Sequence, residues 1–172
     1  MTDSTEYSKV ATLRQLREGF SEEAKSFFDF FFNEDSKQVN DLIGIDFQES
    51  KIFFDQENNP IKSQTRAIFP QAAQTFDGRV HGGIIVAALD VAMGVPIGFS
   101  ALLPENKIMV TRELSKIEIL QPVSPNDELI IEVHCIKREE RKFWMSGIIR
   151  KNEEVLVKAE GFFLSVPMSR QR

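Results

Sequence analysis

The chain reads as an α+β domain in which an antiparallel sheet wraps one long apolar helix. Three observations predict this. Residues 84–95 are apolar except for Asp90 and Gly94, and a helix that is apolar all round belongs in a core. From Ile108 onward the chain is a series of largely apolar runs separated by turn sequences, and consecutive strands joined by short turns make an antiparallel sheet. At 172 residues the chain suits one domain with a full core.

The elements follow in order. Residues 1–40 read as a helical extension and 41–172 as the main domain. Val10, Leu13, Leu16 and Arg17 lie at helix spacing over 8–18, and Gly19 ends that piece. Ser21 suits an N-cap and Glu22 and Glu23 a first turn. Phe20, Ala24, Phe27, Phe28 and Phe31 then form one apolar face, widened by Phe30 and Phe32. That face belongs against the domain or a second subunit, because its polar side is acidic and a membrane-surface helix favours basic residues.

Residues 33–40 are a polar linker. Ile43, Ile45 and Phe47 alternate as a strand, which residues 52–54 either continue or follow with another. Residues 56–60 make a turn, and Ile61, Ser63, Thr65, Ala67 and Phe69 share one face of a strand ended by Pro70. The apolar helix runs from about Gly82 to Val95. Pro96 disfavours helical backbone at the residue before it, which predicts a break or kink near Gly94. Strands follow over 108–120, 129–135, 142–150 and 155–166, with turns at 122–127, 138–141 and 151–153.

Composition narrows the function. The net charge of −5 disfavours nucleic acid as a partner, although residues 106–172 carry a local basic surplus. Cys135 is the only cysteine, so no intrachain disulfide forms and a reducing, cytoplasmic setting is expected. His81 and His134 are the only histidines, and no Cys/His cluster has metal-ligand spacing. Residues 1–8 are polar and acidic, unlike a secretory signal or transit peptide. Residues 84–103 are long enough to cross a bilayer. Asp90 would cost about 3 kcal/mol there, Gly94, Pro96 and Gly98 interrupt the run, and no Lys/Arg cluster flanks it, so no membrane span is expected.

His81-Gly82-Gly83 followed by Asp90 carries the chemistry. Glycines at a helix start leave N–H groups uncovered, and these attract developing negative charge. A carboxylate on an otherwise apolar helix is costly to desolvate unless it has a role, be it capping, pairing with Arg, or catalysis. An acid with an oxyanion-type N–H is a minimal kit for hydrolysing an acyl bond. Gly82 and Asp90 are eight residues apart, about 12 Å along one helix. A reacting carbon must lie about 3 Å from both groups, so a two-fold dimer that faces one chain's Gly82 with the other's Asp90 is expected.

The run Phe76-Asp77-Gly78-Arg79-Val80-His81-Gly82-Gly83, with Asp90 on the helix, then 109–115 and Leu120-Gln121-Pro122-Val123, resembles the hotdog-fold acyl-CoA thioesterases of the phenylacetate-pathway type. The resemblance spans roughly residues 61–166. It implies a hotdog fold and hydrolysis of an acyl-CoA to free acid and CoA, with no cofactor and no metal. The catalyst would be a homodimer, or a dimer of dimers (a homotetramer), with sites at the subunit interface. By position it implies that Gly82 polarises the thioester carbonyl, that His81 orients the turn or assists, and that Asp90 acts as general base or nucleophile. Thr111 matches a hydroxyl near the water, although counting back from Pro122 puts Arg112 there, so the strand carries an extra residue. An Asn that some relatives place six residues before the His is Thr75 here.

Gly83, Arg141 and Lys142 are the candidate substrate contacts. Lys137, Arg138, Arg141 and Lys142 flank one turn and Arg150 and Lys151 the next, a candidate patch for the coenzyme's phosphates or an ordinary solvated hairpin. Phe99, Phe143, Phe162 and Phe163 are candidates for an acyl tunnel or for core packing. His134 reads as structural and Cys135 as a small buried hydrophobe. Two other readings remain: a module that holds acyl-CoA without turnover, and a dehydratase acting on hydroxyacyl thioesters.

Overall fold

A computed structural model describes residues 7–32 and 43–168. Seven strands form one antiparallel sheet: β1 (Lys9–Thr12), β2 (Lys51–Phe54), β3 (Pro60–Ala67), β4 (Lys107–Ile119), β5 (Leu129–Glu139), β6 (Lys142–Lys151) and β7 (Glu154–Pro167), in the order β1-β2-β3-β5-β6-β7-β4. Among the described residues, the α-helices that frame the sheet are α1 (Leu13–Arg17), α2 (Glu22–Phe31) and α3 (Gly82–Leu102). The expected α+β architecture is present, with α3 as its central helix.

Ile85, Leu89, Met93, Ile97 and Leu102 of α3 are buried against Ile131, Val133, Phe143, Met145 and Phe163 of the sheet in one core cluster. Alternation on β6 sends Phe143, Met145, Gly147 and Ile149 inward.

The expected break at Gly94 does not occur, and α3 runs unbroken through Pro96. A proline inside a helix costs about 3 kcal/mol. Ile97, Phe99 and Leu102 are buried beyond it. At about 1.5–3 kcal/mol for each large side chain, their burial outweighs the break.

Residues 8–18 are not a single helix. Val10 and Ala11 extend as β1 against β2, pairing with Phe53 and Ile52. Thr12 then switches the chain into α1: its hydroxyl accepts the Gln15 N–H at 3.2 Å while Gln15 Oε1 accepts the Thr12 N–H at 2.8 Å. Ser21 caps α2 as expected, accepting the Ala24 N–H at 3.2 Å. Phe20, Ala24 and Phe28 are buried, and Phe27, Phe28 and Phe32 pack around Phe99 of α3. The expected boundary at residue 40 and the linker at 33–40 lie outside the described residues. A chain beginning near Asn40 should aggregate or melt at a clearly lower temperature than the full chain, because it loses an edge strand and uncovers this aromatic cluster. Thermal unfolding of the two chains checks this; equal stability would make the segment a dispensable tail.

The alternating strand at Ile43, Ile45 and Phe47 is also not formed. Gly44 takes a left-handed φ of 66°, Ile45 makes only an isolated bridge to Ala67, and Phe47 opens a single 3₁₀ turn. All three apolar side chains are nonetheless buried. A Cβ at Gly44 would fall 1.9 Å from the Ile68 carbonyl oxygen. Gly44→Ala should therefore destabilise the chain by about 2 kcal/mol or more, read as a lower denaturation midpoint. An unchanged midpoint would show that the loop relaxes freely.

Candidate active site

His81 is the N-cap of α3, and its Nδ1 accepts the Gly83 N–H at 3.0 Å. This fixes the tautomer: Nδ1 is the acceptor and Nε2 carries the proton. His81 therefore orients the turn. Of the two glycine amides, Gly83's is engaged by the cap, while Gly82's has no partner among the described residues. A Cβ at Gly82 would meet only the Ile119 Cδ1 at 3.8 Å, an ordinary contact. The chain's own packing thus leaves room at Gly82, beside an open N–H at the positive end of a 21-residue helix.

Asp90 lies two turns further on. Its Oδ1 accepts the Thr111 hydroxyl of β4 at 2.6 Å, which leaves Oδ2 for a ligand. The desolvated carboxylate expected from the sequence is, in the single chain, only half-buried. The reason is that the sheet does not enclose the N-terminal half of α3 on every side. Gly83 and Ala87 are exposed, and Ile84, Asp90, Val91 and Gly94 are partly so, making one uncovered apolar stripe with Asp90 in it. β4 pairs with β7 on one side only, so its other edge is open. Ile117, Ile119 and Leu120 near its end are exposed.

Pairing explains the two counts of the strand. Thr111 pairs with Phe163 and Glu113 with Phe162, so Arg112 is the extra residue of one bulge, and a second irregularity falls between Ser115 and Glu118. Thr111 is the residue brought to Asp90. Thr75 is occupied within its own loop, where its hydroxyl donates to Asp77 and, at 3.0 Å, to the Arg79 carbonyl oxygen.

The basic residues form two separate groups, not one patch. Lys137, Arg138, Arg141 and Lys142 flank one end of β6 and Arg150 and Lys151 the other. A ten-residue strand holds its ends about 30 Å apart. The second group is neutralised: Lys151 pairs with Asp127 at 2.8 Å and Arg150 lies 3.9 Å from Glu132. Arg138 and Arg141 border a cleft at the C-terminal end of α3, whereas Lys142 is not among its lining residues.

The four candidate tunnel phenylalanines divide similarly. Phe99, Phe143 and Phe163 are core, and Phe162 stacks on Trp144 at 5.2 Å. His134 bonds Glu132 at 3.0 Å on the sheet. Burial pushes the Cys135 thiol above its ordinary range, which suits a packing residue. Among the described residues, no group of three or more His, Cys, Asp or Glu is placed to hold a metal ion.

Residues 77–158 match the family model of the Thioesterase superfamily. No curated protein matches the chain. Among solved structures, a thioesterase from Haemophilus influenzae is similar at 14% identity and a TM-score of 0.63, covering 96% of this chain and 99% of its own. The E. coli PaaI protein, from the phenylacetic acid degradation operon, is similar at 12% identity and a TM-score of 0.61, covering 90% of this chain and 96% of its own. A hypothetical thioesterase protein from Streptococcus pneumoniae, solved with coenzyme A, is similar at 17% identity and a TM-score of 0.55, covering 72% and 96%. The chain adopts the hotdog fold of these structures, and its residues 77–158 are similar to the thioesterase superfamily.

Proposed function

We propose that the protein is an acyl-CoA thioesterase whose active site is completed by a second copy of the chain. The observation that carries this reading is the division of the kit along α3: an open Gly82 N–H at its start, and a Thr111-bonded Asp90 on its uncovered stripe. The two lie about 12 Å apart along one axis. A two-fold pairing that covers the stripe and the open β4 edge brings each chain's Gly82 to the other's Asp90. It also removes an exposed edge and an apolar face that a lone chain leaves in water.

In that site the Gly82 N–H receives the thioester oxygen, where negative charge develops. Thr111 holds one oxygen of Asp90, and the other takes a proton from water attacking the carbonyl carbon, or attacks that carbon itself. The C–S bond breaks and coenzyme A leaves as its thiolate, which takes the proton that Asp90 removed from the water; where Asp90 itself attacks, the mixed anhydride it forms is then hydrolysed by water, which releases the acid, restores the carboxylate and supplies that proton. His81 acts as a positioning residue through the turn, and the residues need no cofactor for these steps. Coenzyme A bound to the S. pneumoniae protein, and acetyl CoA bound to a similar Streptococcus mutans protein, support coenzyme thioesters as the substrate class. We place the activity in the cytoplasm, consistent with a chain that has one cysteine.

Thiol release from short, medium, long and aryl acyl-CoAs by the purified chain tests the reading. Turnover of at least one class is expected. Tight binding without release would favour the non-catalytic module, and hydration or dehydration without thiol release would favour the dehydratase.

A further inference from the structure

Ile119, the last residue of β4, stands beside the open Gly82 N–H. A Cβ at Gly82 would have one neighbour outside its own turn among the described residues, the Ile119 Cδ1 at 3.8 Å. Yet Ile119 is 51% exposed in the single chain, so it is not a core residue. Its place is fixed from two sides. The Leu156 carbonyl accepts the Leu120 N–H at 2.8 Å and the Gln121 N–H at 3.1 Å. The Val123 carbonyl accepts the Val80 N–H at 2.9 Å, which ties the residues after β4 to those just before α3.

A bulge decides which side chain arrives there. Ser115 pairs with Glu160, but Glu118 pairs with Lys158 and Ile119 with Val157, so β4 carries one residue more than β7 over this stretch. Lys116 takes a left-handed φ of 48° within it. Residues directly opposite on neighbouring strands share a face. Val157 is buried and Lys158 exposed, so Ile119 turns toward α3 and Glu118 toward solvent. A strand without the extra residue would set Glu118 opposite Val157, because a shift of one residue exchanges the two faces. A carboxylate would then stand near Gly82 and repel the charge that the N–H is there to receive.

We propose that Ile119 is a solvent shield for the oxyanion site: its side chain keeps water off the Gly82 N–H, so that the thioester oxygen meets this donor in dry surroundings. A hydrogen-bond donor does more for a developing charge where water is excluded, because the local dielectric is lower. The cleft of about 330 Å³ that Ile119 helps to line is apolar apart from Arg79 and Gln121, and an aliphatic side chain offers water no hydrogen bond there. Ile119 therefore acts through Gly82 and takes no part in bond making. The inference rests on the thioesterase reading.

Ile119→Val and Ile119→Thr test it as a pair. The two replacements have nearly the same shape and both suit a strand, but only Thr brings a hydroxyl that holds water at the N–H. Thermal unfolding and light scattering establish that both variants fold and assemble alike. The kcat of Ile119→Thr should then lie about tenfold below that of Ile119→Val with KM little changed, a smaller loss than the roughly 100-fold that follows outright removal of an oxyanion donor. A purely structural role would move stability or assembly and leave the two kcat values equal. Mixed dimers locate the effect. When one chain carries Asp90→Asn and the other Gly82→Val, the one intact site takes its Gly82 from the first. Ile119→Thr should lower kcat only when carried on the Asp90→Asn chain. Equal kcat for the Val and Thr variants, or a loss that follows the Gly82→Val chain, would overturn the shield and leave the thioesterase reading standing. A wild-type chain that releases thiol from no acyl-CoA would overturn both.

Discussion

Asp90→Asn should reduce thiol release by at least about 100-fold, the low end of what a positioned general base contributes. The substitution keeps shape and removes the proton acceptor. The Asn Oδ1 can still accept the Thr111 hydroxyl that Asp90 accepts at 2.6 Å. Because the carboxylate is half-exposed in the single chain, the fold should change in stability by no more than about 0.5 kcal/mol. Deleting a fully buried charge would stabilise the chain, but Asp90 lies on the uncovered stripe of α3. Release within a few-fold of wild type, with folding intact, would remove Asp90 from the chemistry.

Much of this arrangement was legible in the residues. An apolar run of helical length and four alternating strands leave few ways to bury the helix, and α3 in an antiparallel sheet is the result. Failures came where tertiary packing overrode a local rule. Pro96 predicts a break, but burial around it keeps the helix whole. Ile43, Ile45 and Phe47 alternate like a strand, yet with Gly44 left-handed all three are buried and only Ile45 makes an isolated bridge. Val10, Leu13 and Leu16 fit a helix, but Thr12 divides them between a strand and a short helix.

The site was legible to the extent that its groups were local. His81, Gly82 and Asp90 lie on one helix, and their spacing already called for a second chain. Thr111 was ambiguous by one residue because bulges leave no mark in composition; only the pairing of β4 with β7 shows them, at Arg112 and again between Ser115 and Glu118. The basic residues seemed to form one patch because turns are close in sequence, while β6 sets them at opposite ends of the sheet.

The shared site is tested most directly by mixing two inactive variants. Asp90→Asn and Gly82→Val each disable every site of their own homodimers, by removing the base or by filling the space at the oxyanion N–H. A mixed dimer has one site with both lesions and one with neither. After complete exchange at equal amounts, half the dimers are mixed and half their sites are intact, so thiol release should recover to about a quarter of wild type, with mass spectrometry confirming the exchange. If each chain carried a complete site, every site would keep one lesion, and verified mixed dimers without activity would contradict the account even with Asp90 as the catalytic acid.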